Sequence, residues 1–168
     1  MSLGRRLVAG AVAGVMGTAA MDLVWYRRYR RDGGKDSLTV WEFASNVQSW
    51  EDTSAPGRVG RKALRVALRR EPSDTWARST TNLVHWATGI GWGLQYGLLA
   101  GRSSRHPSML AAALGPAAWA SSYVLLPLAG VYKPIWQYDG KTLSKDLSAH
   151  LVFGATTSGA FRVLSDAR

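Results

Sequence analysis

The stretch LVAGAVAGVMGTAAMDLVWY, residues 7–26, decides the fold class. It carries a single charge, Asp22, and is bracketed by Arg5 and Arg6 before it and by Arg27, Arg28, Arg30 and Arg31 after it. At about 1.5 Å per residue such a run spans the roughly 30 Å hydrocarbon layer of a bilayer, and the flanking arginines suit its head-group regions. A cleaved signal peptide would also begin with Arg-Arg and an apolar core, but four arginines behind that core oppose translocation of the rest of the chain. The stretch reads as a membrane-spanning helix.

Three further segments extend the pattern. Leu83 to Gly101 has no charge apart from His85, and Ser108 to Tyr132 is uncharged between Arg105 and Lys133, with Pro116 and Pro127 expected to kink it. Leu147 to Leu164 is the least apolar of the four, because it contains Thr156, Thr157 and Ser158. The expected fold is all-α: an integral membrane four-helix bundle, one membrane domain over residues 1–168, with spans at about 7–26, 83–101, 108–132 and 147–164. No Ser/Gly-rich or Pro-rich tract divides the chain, and a mean hydropathy of −0.09 is what four apolar spans and a polar loop average to.

That loop, residues 27–82, holds two amphipathic pieces. Val40, Phe43, Ala44, Val47 and Trp50 recur at helical spacing; after Pro56-Gly57, Val59, Ala63, Val66 and Ala67 oppose Arg58, Arg61, Lys62, Arg65 and Arg69. Both suit the membrane interface, as do Trp41, Trp50, Trp76, Trp86 and Trp136 near the span boundaries.

The net charge of +10 raises the question of a nucleic-acid partner. Position answers it: 12 of the 21 Lys and Arg fall between Arg27 and Arg78, beside apolar helices. Anionic lipid is the simpler partner, met by Arg27, Arg28, Arg30, Arg31, Arg61, Lys62, Arg65 and Arg69, and no nucleic acid is expected. The charge asymmetry also places the loops in the cytoplasm. The absence of Cys excludes disulfides and thiolate sites.

Small residues are spaced for close helix contact: Gly10 and Gly14 in the first span, Gly89, Gly93 and Gly97 in the second, and Gly154 in the fourth. In lipid, such residues let backbones approach where no hydrophobic drive acts between helices, so a tight bundle, a homo-oligomer or a larger membrane complex is expected.

Ionisable groups inside spans are costly and point to function. Asp22 lies near the end of the first span, and His85 and His150 near the starts of the second and fourth. Alternating helix directions bring all three to similar depth, roughly 5–8 Å below the loop side. Each shares a face with small residues four apart: Gly14 and Thr18 for Asp22, Gly89 for His85, Gly154 for His150. The two His-x-x-x-Gly segments hint at a two-plus-two repeat joined near Gly101. Tyr123 is placed to reach the same layer. Such a set allows proton transfer, binding of a divalent metal by His85, His150 and Asp22, or a b-type haem between the two histidines. A purely structural use is the alternative, with Asp22 pairing with His85, Arg27 or Arg28. No segment carries a motif that fixes a reaction, and nothing requires a cofactor.

The segments from Ala9 to Asp22, Asn82 to Gly97 and Ala149 to Gly154 resemble the YagU-like family of bacterial inner-membrane proteins of unknown function. The resemblance covers the spans and not the basic loop. It implies a multi-pass inner-membrane protein associated with survival in acid. The expected function is the handling of protons or a small polar solute in envelope or acid stress. The alternatives are a metal- or haem-binding membrane oxidoreductase or its accessory subunit, and a structural subunit of a membrane complex.

Overall fold

The computed structural model of the protein describes residues 1–100 and 107–166; the end of the second expected span at Gly101, the proposed junction there and most of the turn after it lie outside the described residues. The described residues form six α-helices and no strand: α1 Leu3–Arg31, α2 Leu38–Glu42, α3 Ala55–Leu68, α4 Ala77–Ala100, α5 Pro107–Leu128 and α6 Gly140–Asp166. Local chemistry sets several starts. Ser2 and Ser37 accept hydrogen bonds from the first-turn amides of Arg5 and Val40, and Asp139 accepts from the Thr142 amide at 2.9 Å and its hydroxyl at 2.7 Å. Each satisfies a donor that the first helical turn leaves open. These two bonds also hold the exposed Asp139 carboxyl below its usual range. Arg28, Arg30 and Arg31 occupy the last turn of α1, where cations oppose the negative end of the helix dipole.

The central helix is α1, packed against α4 on one side and α6 on the other; α5 lies beyond α6, and α3 beyond α4. The pairs α1/α4, α1/α6 and α5/α6 are antiparallel, as their contacting glycines reveal. A Cβ on Gly10 would strike the Gly93 carbonyl, one on Gly14 the Gly89 carbonyl, and one on Gly97 would come within 2.6 Å of the Arg6 carbonyl oxygen. Across α5/α6, a Cβ on Gly154 would meet the backbone of Gly115, and one on Gly115 would lie 2.5 Å from the His150 carbonyl oxygen. Only glycine permits backbones this close. The buried centre includes Ala9, Ala13, Thr18 and Thr157 with Tyr96, Leu114, Phe153 and Phe161, whereas Val8, Leu23, Leu83, Leu125, Leu128 and Val163 face outward.

Two helix ends and the placement of Trp50 differ from expectation. The first amphipathic piece is a helix only over Leu38–Glu42, because Ala44 adopts φ +47, which no helix continues through; Val47 and Trp50 fall in a turn and a 3-10 segment. Trp50 is 2% exposed instead of anchoring an interface, and its indole N–H donates to the Pro72 carbonyl at 2.9 Å. Helix α5 passes through Pro116 and stops at Leu128, short of Tyr132: Pro127 sits in its last turn and Gly130, at φ +61, turns the chain.

By length and hydropathy, α1 and α5 are long and apolar enough to cross a membrane; α4 and α6 fall short. The physical reason lies within their apolar stretches, which are diluted by His85, Gln95 and four glycines in α4 and by His150, Thr156, Thr157, Ser158 and Arg162 in α6.

Candidate functional site

The site forms where α1 and α4 leave their glycine contact and diverge toward the long loop. Asp22 is 5% exposed, and its Oδ2 lies 2.7 Å from His85 Nε2, the ring nitrogen that donates to it. Thr18, one turn back, bonds its own hydroxyl to the Gly14 carbonyl at 2.9 Å and so competes for neither group.

Helix α2 supplies a third member that sequence reasoning missed. Glu42, its last residue, brings a carboxylate oxygen to the pair, so that one donor atom from each of Asp22, Glu42 and His85 lies within 4.8 Å of the other two. Its Oε1 is buried without a hydrogen-bond partner. Burial first, and then the neighbouring Asp22 carboxylate, push the Glu42 carboxyl up to about 7, against a smaller downward pull from His85. No sequence signal marks Glu42, because the continuous amphipathic stripe read through it is interrupted at Ala44.

The loop that carries Glu42 is fastened at both ends. The Phe43 carbonyl accepts from Arg78 Nε at 3.1 Å and from Asn82 Nδ2 at 3.0 Å, both on or beside the first turns of α4. On the α1 side, Asp36 Oδ2 accepts from the Tyr29 hydroxyl at 2.8 Å and from Asn46 Nδ2 at 2.9 Å, and Trp41 packs its ring against Tyr26 and Tyr29.

These elements enclose a cavity of about 360 Å³. Its lining includes Asp22, Asp36, Glu42 and Asp52, together with His85 and Asn82, and among the described residues contains no Lys or Arg. Four of the eleven acidic residues of a strongly basic chain thus face one space. Two are already committed: Asp36 as above, and Asp52 to the Ser49 and Gln48 amides at 2.9 and 3.1 Å, bonds that hold its exposed carboxyl below the usual range.

The other expected site residues lie elsewhere. His150 Nδ1 sits 3.0 Å from the Asp146 carbonyl and 3.4 Å from the Asp146 carboxylate, one turn earlier on its own helix. Tyr123 packs its ring against Trp119, Tyr132 and Tyr138, with centroids 5.2–5.7 Å apart. The four polar residues expected in one layer therefore divide two and two: Asp22 with His85 between α1 and α4, and His150 with Tyr123 beside α5 and α6. Each imidazole is engaged by its own carboxylate, and Glu42 stands in the metal-capable group where His150 was expected.

The cations expected at lipid head groups are partly occupied within the fold. Arg28 donates to the Lys145 carbonyl and the Ser148 hydroxyl, both at 2.7 Å, and its guanidinium lies over the Trp25 ring. Arg30 reaches the Lys35 carbonyl at 3.1 Å. Arg61 pairs with Glu71 at 2.5 Å and Glu51 at 3.5 Å, Arg65 with Glu71 at 3.7 Å, and Lys62 donates to the Ala129 carbonyl at the end of α5. Arg27, Arg31 and Arg69 remain peripheral.

Compared with models of protein families, with curated proteins and with solved structures, the chain matches none. Fold and site define an all-α protein with a carboxylate–imidazole cluster between its central helix pair and a short helical loop.

Proposed function

We propose that the protein is a small integral membrane protein, a bundle formed by α1, α4, α5 and α6, in which the cluster of Asp22, Glu42 and His85 takes up and releases protons or a small polar solute at the loop-side surface. The membrane reading rests on an inverted packing pattern. A core helix of a water-soluble protein passes the same hydropathy test, but it is buried; only 22% of the apolar window of α5 and 39% of that of α1 is buried here. Leu83 on α4 and Val163 on α6 are each 70% exposed, which extends the apolar exterior to the two helices whose own hydropathy is lower. Glycine, alanine and threonine inside with leucine and valine outside is the arrangement that lipid favours.

The observation that carries the functional reading is the 2.7 Å contact between His85 and the buried Asp22, with a second carboxyl beside it. A carboxylate and an imidazole at this spacing can pass a proton between them. A bacterial inner-membrane location and a role in acid stress follow the resemblance in the spans. Helix α3 at the interface and the peripheral arginines would face anionic head groups.

The chain has no Cys, which makes labelling direct. Single cysteines at Leu83, Leu128 and Val163 should resist a membrane-impermeant maleimide in intact vesicles, while one at Lys35 reacts. Labelling of the first three as fast as the last would remove the membrane reading. In vesicles containing a pH-sensitive dye, the protein should speed equilibration after an acid pulse, and Asp22→Asn should abolish the effect.

A further inference from the structure

We infer that the Asp22, Glu42 and His85 cluster is a binding site for a divalent transition-metal cation of the manganese-to-zinc series, a deepening that rests on the solute-handling reading above. Three observations converge on it. First, the donor set has the right chemistry and reach: two carboxylate oxygens and one imidazole nitrogen, from α1, α2 and α4, lie within 4.8 Å of one another, so that a shift of a few tenths of an ångström allows all three to contact one ion. Metal–ligand distances of about 2.0–2.2 Å set donors up to roughly 4.4 Å apart.

Second, the cluster has an unbalanced charge. His85 offsets one carboxylate at most, so a second beside the buried Asp22 is relieved only by a proton or by a bound cation that displaces it. Among the described residues no Lys or Arg lines the cavity, and the cation on α4, Arg78, spends its guanidinium on the Phe43 carbonyl and the Ser45 hydroxyl. The buried Oε1 of Glu42, without a hydrogen-bond partner among the described residues, is a further acceptor at the same place.

Third, the surroundings are built to hold the donors still and leave coordination positions open. Arg78 and Asn82 grip the residue after Glu42, the glycine contact of α1 and α4 sets the separation of Asp22 from His85, and the adjoining 360 Å³ has room for water or a further ligand. Ligands anchored by such outer contacts keep their orientation, which sustains affinity. The imidazole disfavours magnesium and calcium, which take oxygen ligands, and the lack of thiolate or thioether donors at the site disfavours cuprous ion.

The test uses the full chain, purified in detergent, stripped with chelator and titrated calorimetrically with zinc alone and with manganese alone, with bound metal counted by elemental analysis. One equivalent of either ion should bind wild type. Glu42→Gln and His85→Gln should each weaken it at least about tenfold, while His150→Gln leaves it unchanged. Glu42 lies on the short α2, so its substitution leaves the main helices intact, which circular dichroism will verify. Absence of binding to helical wild-type protein, binding that survives both substitutions, or equal loss in His150→Gln each overturns the assignment. Failure here is separable from failure of the wider reading, because the acid-pulse response is measured in metal-free vesicles.

Discussion

His85 Nε2 and Asp22 Oδ2 lie 2.7 Å apart, across a helix pair whose backbones touch at Gly14 and Gly89 just inside them. Two residues separated by 63 positions thus share a hydrogen bond whose length is governed by glycines. Substituting either alone strands its partner in a buried setting. Asp22→Asn and His85→Gln should each destabilise the protein, and the double variant should lose less than the sum, leaving a coupling of about 1–3 kcal/mol. Thermal unfolding in detergent provides the cycle; simple additivity would show that the pair is incidental.

Glu42 makes stability depend on pH. Its carboxyl is raised from 4.5 to about 7 in the folded protein, so between those values the folded state holds a proton that the unfolded state has lost. Stability should therefore fall as pH rises from about 4.5 to 7, by on the order of 1–2 kcal/mol once partial solvent exposure is discounted, and then level off. Glu42→Gln should flatten this slope and exceed wild type in Tm at pH 8. A slope that persists unchanged in the variant assigns it to other groups.

Two glycines on α4 should respond oppositely to alanine. A Cβ at Gly93 would strike the Gly10 carbonyl and come within 2.7 Å of Gly14 Cα, whereas one at Gly91 meets nothing within 4 Å. Gly93→Ala should cost more than about 2 kcal/mol, since backbone cannot yield as a side chain does. Gly91→Ala should gain about 0.5–1 kcal/mol from helix propensity. Equal Tm values for the two variants would contradict the contact between α1 and α4.

Trp50 fastens the loop beneath α3 through its indole N–H on the Pro72 carbonyl. Trp50→Phe keeps most of the buried ring and removes that donor, leaving a carbonyl unsatisfied. A loss of about 1–2 kcal/mol and faster limited proteolysis between residues 45 and 76 are expected. Unchanged proteolysis would place the stability of this loop elsewhere.

The small-residue stripes were legible in the sequence because spacing alone defines them: Gly10, Gly14, Gly89 and Gly93 sit at steps of four, and such steps share a face. The shared level of Asp22 and His85 was legible for the same reason, and their 2.7 Å contact bears it out. Direction around the bundle was not. Depth follows from counting residues, but whether His150 turns toward Asp22 or toward its own Asp146 depends on which neighbour α6 presents that face to, and α6 touches both α1 and α5. Glu42 was hidden because its position depends on Ala44 taking a left-handed conformation, which composition does not announce in a non-glycine residue.

An acidic cavity set within a basic chain also has a kinetic signature. A cation approaching the cavity of Asp22, Glu42 and His85 must first cross the field of the arginines gathered between residues 27 and 78, which repels it over distances near the Debye length, about 10 Å at 0.1 M salt. Added salt screens that outer repulsion more strongly than the short-range attraction inside. Entry of a cation should therefore quicken as ionic strength rises, the reverse of ordinary electrostatic steering, so that the same arginines proposed to meet an anionic surface would also act as a toll on what reaches the cavity.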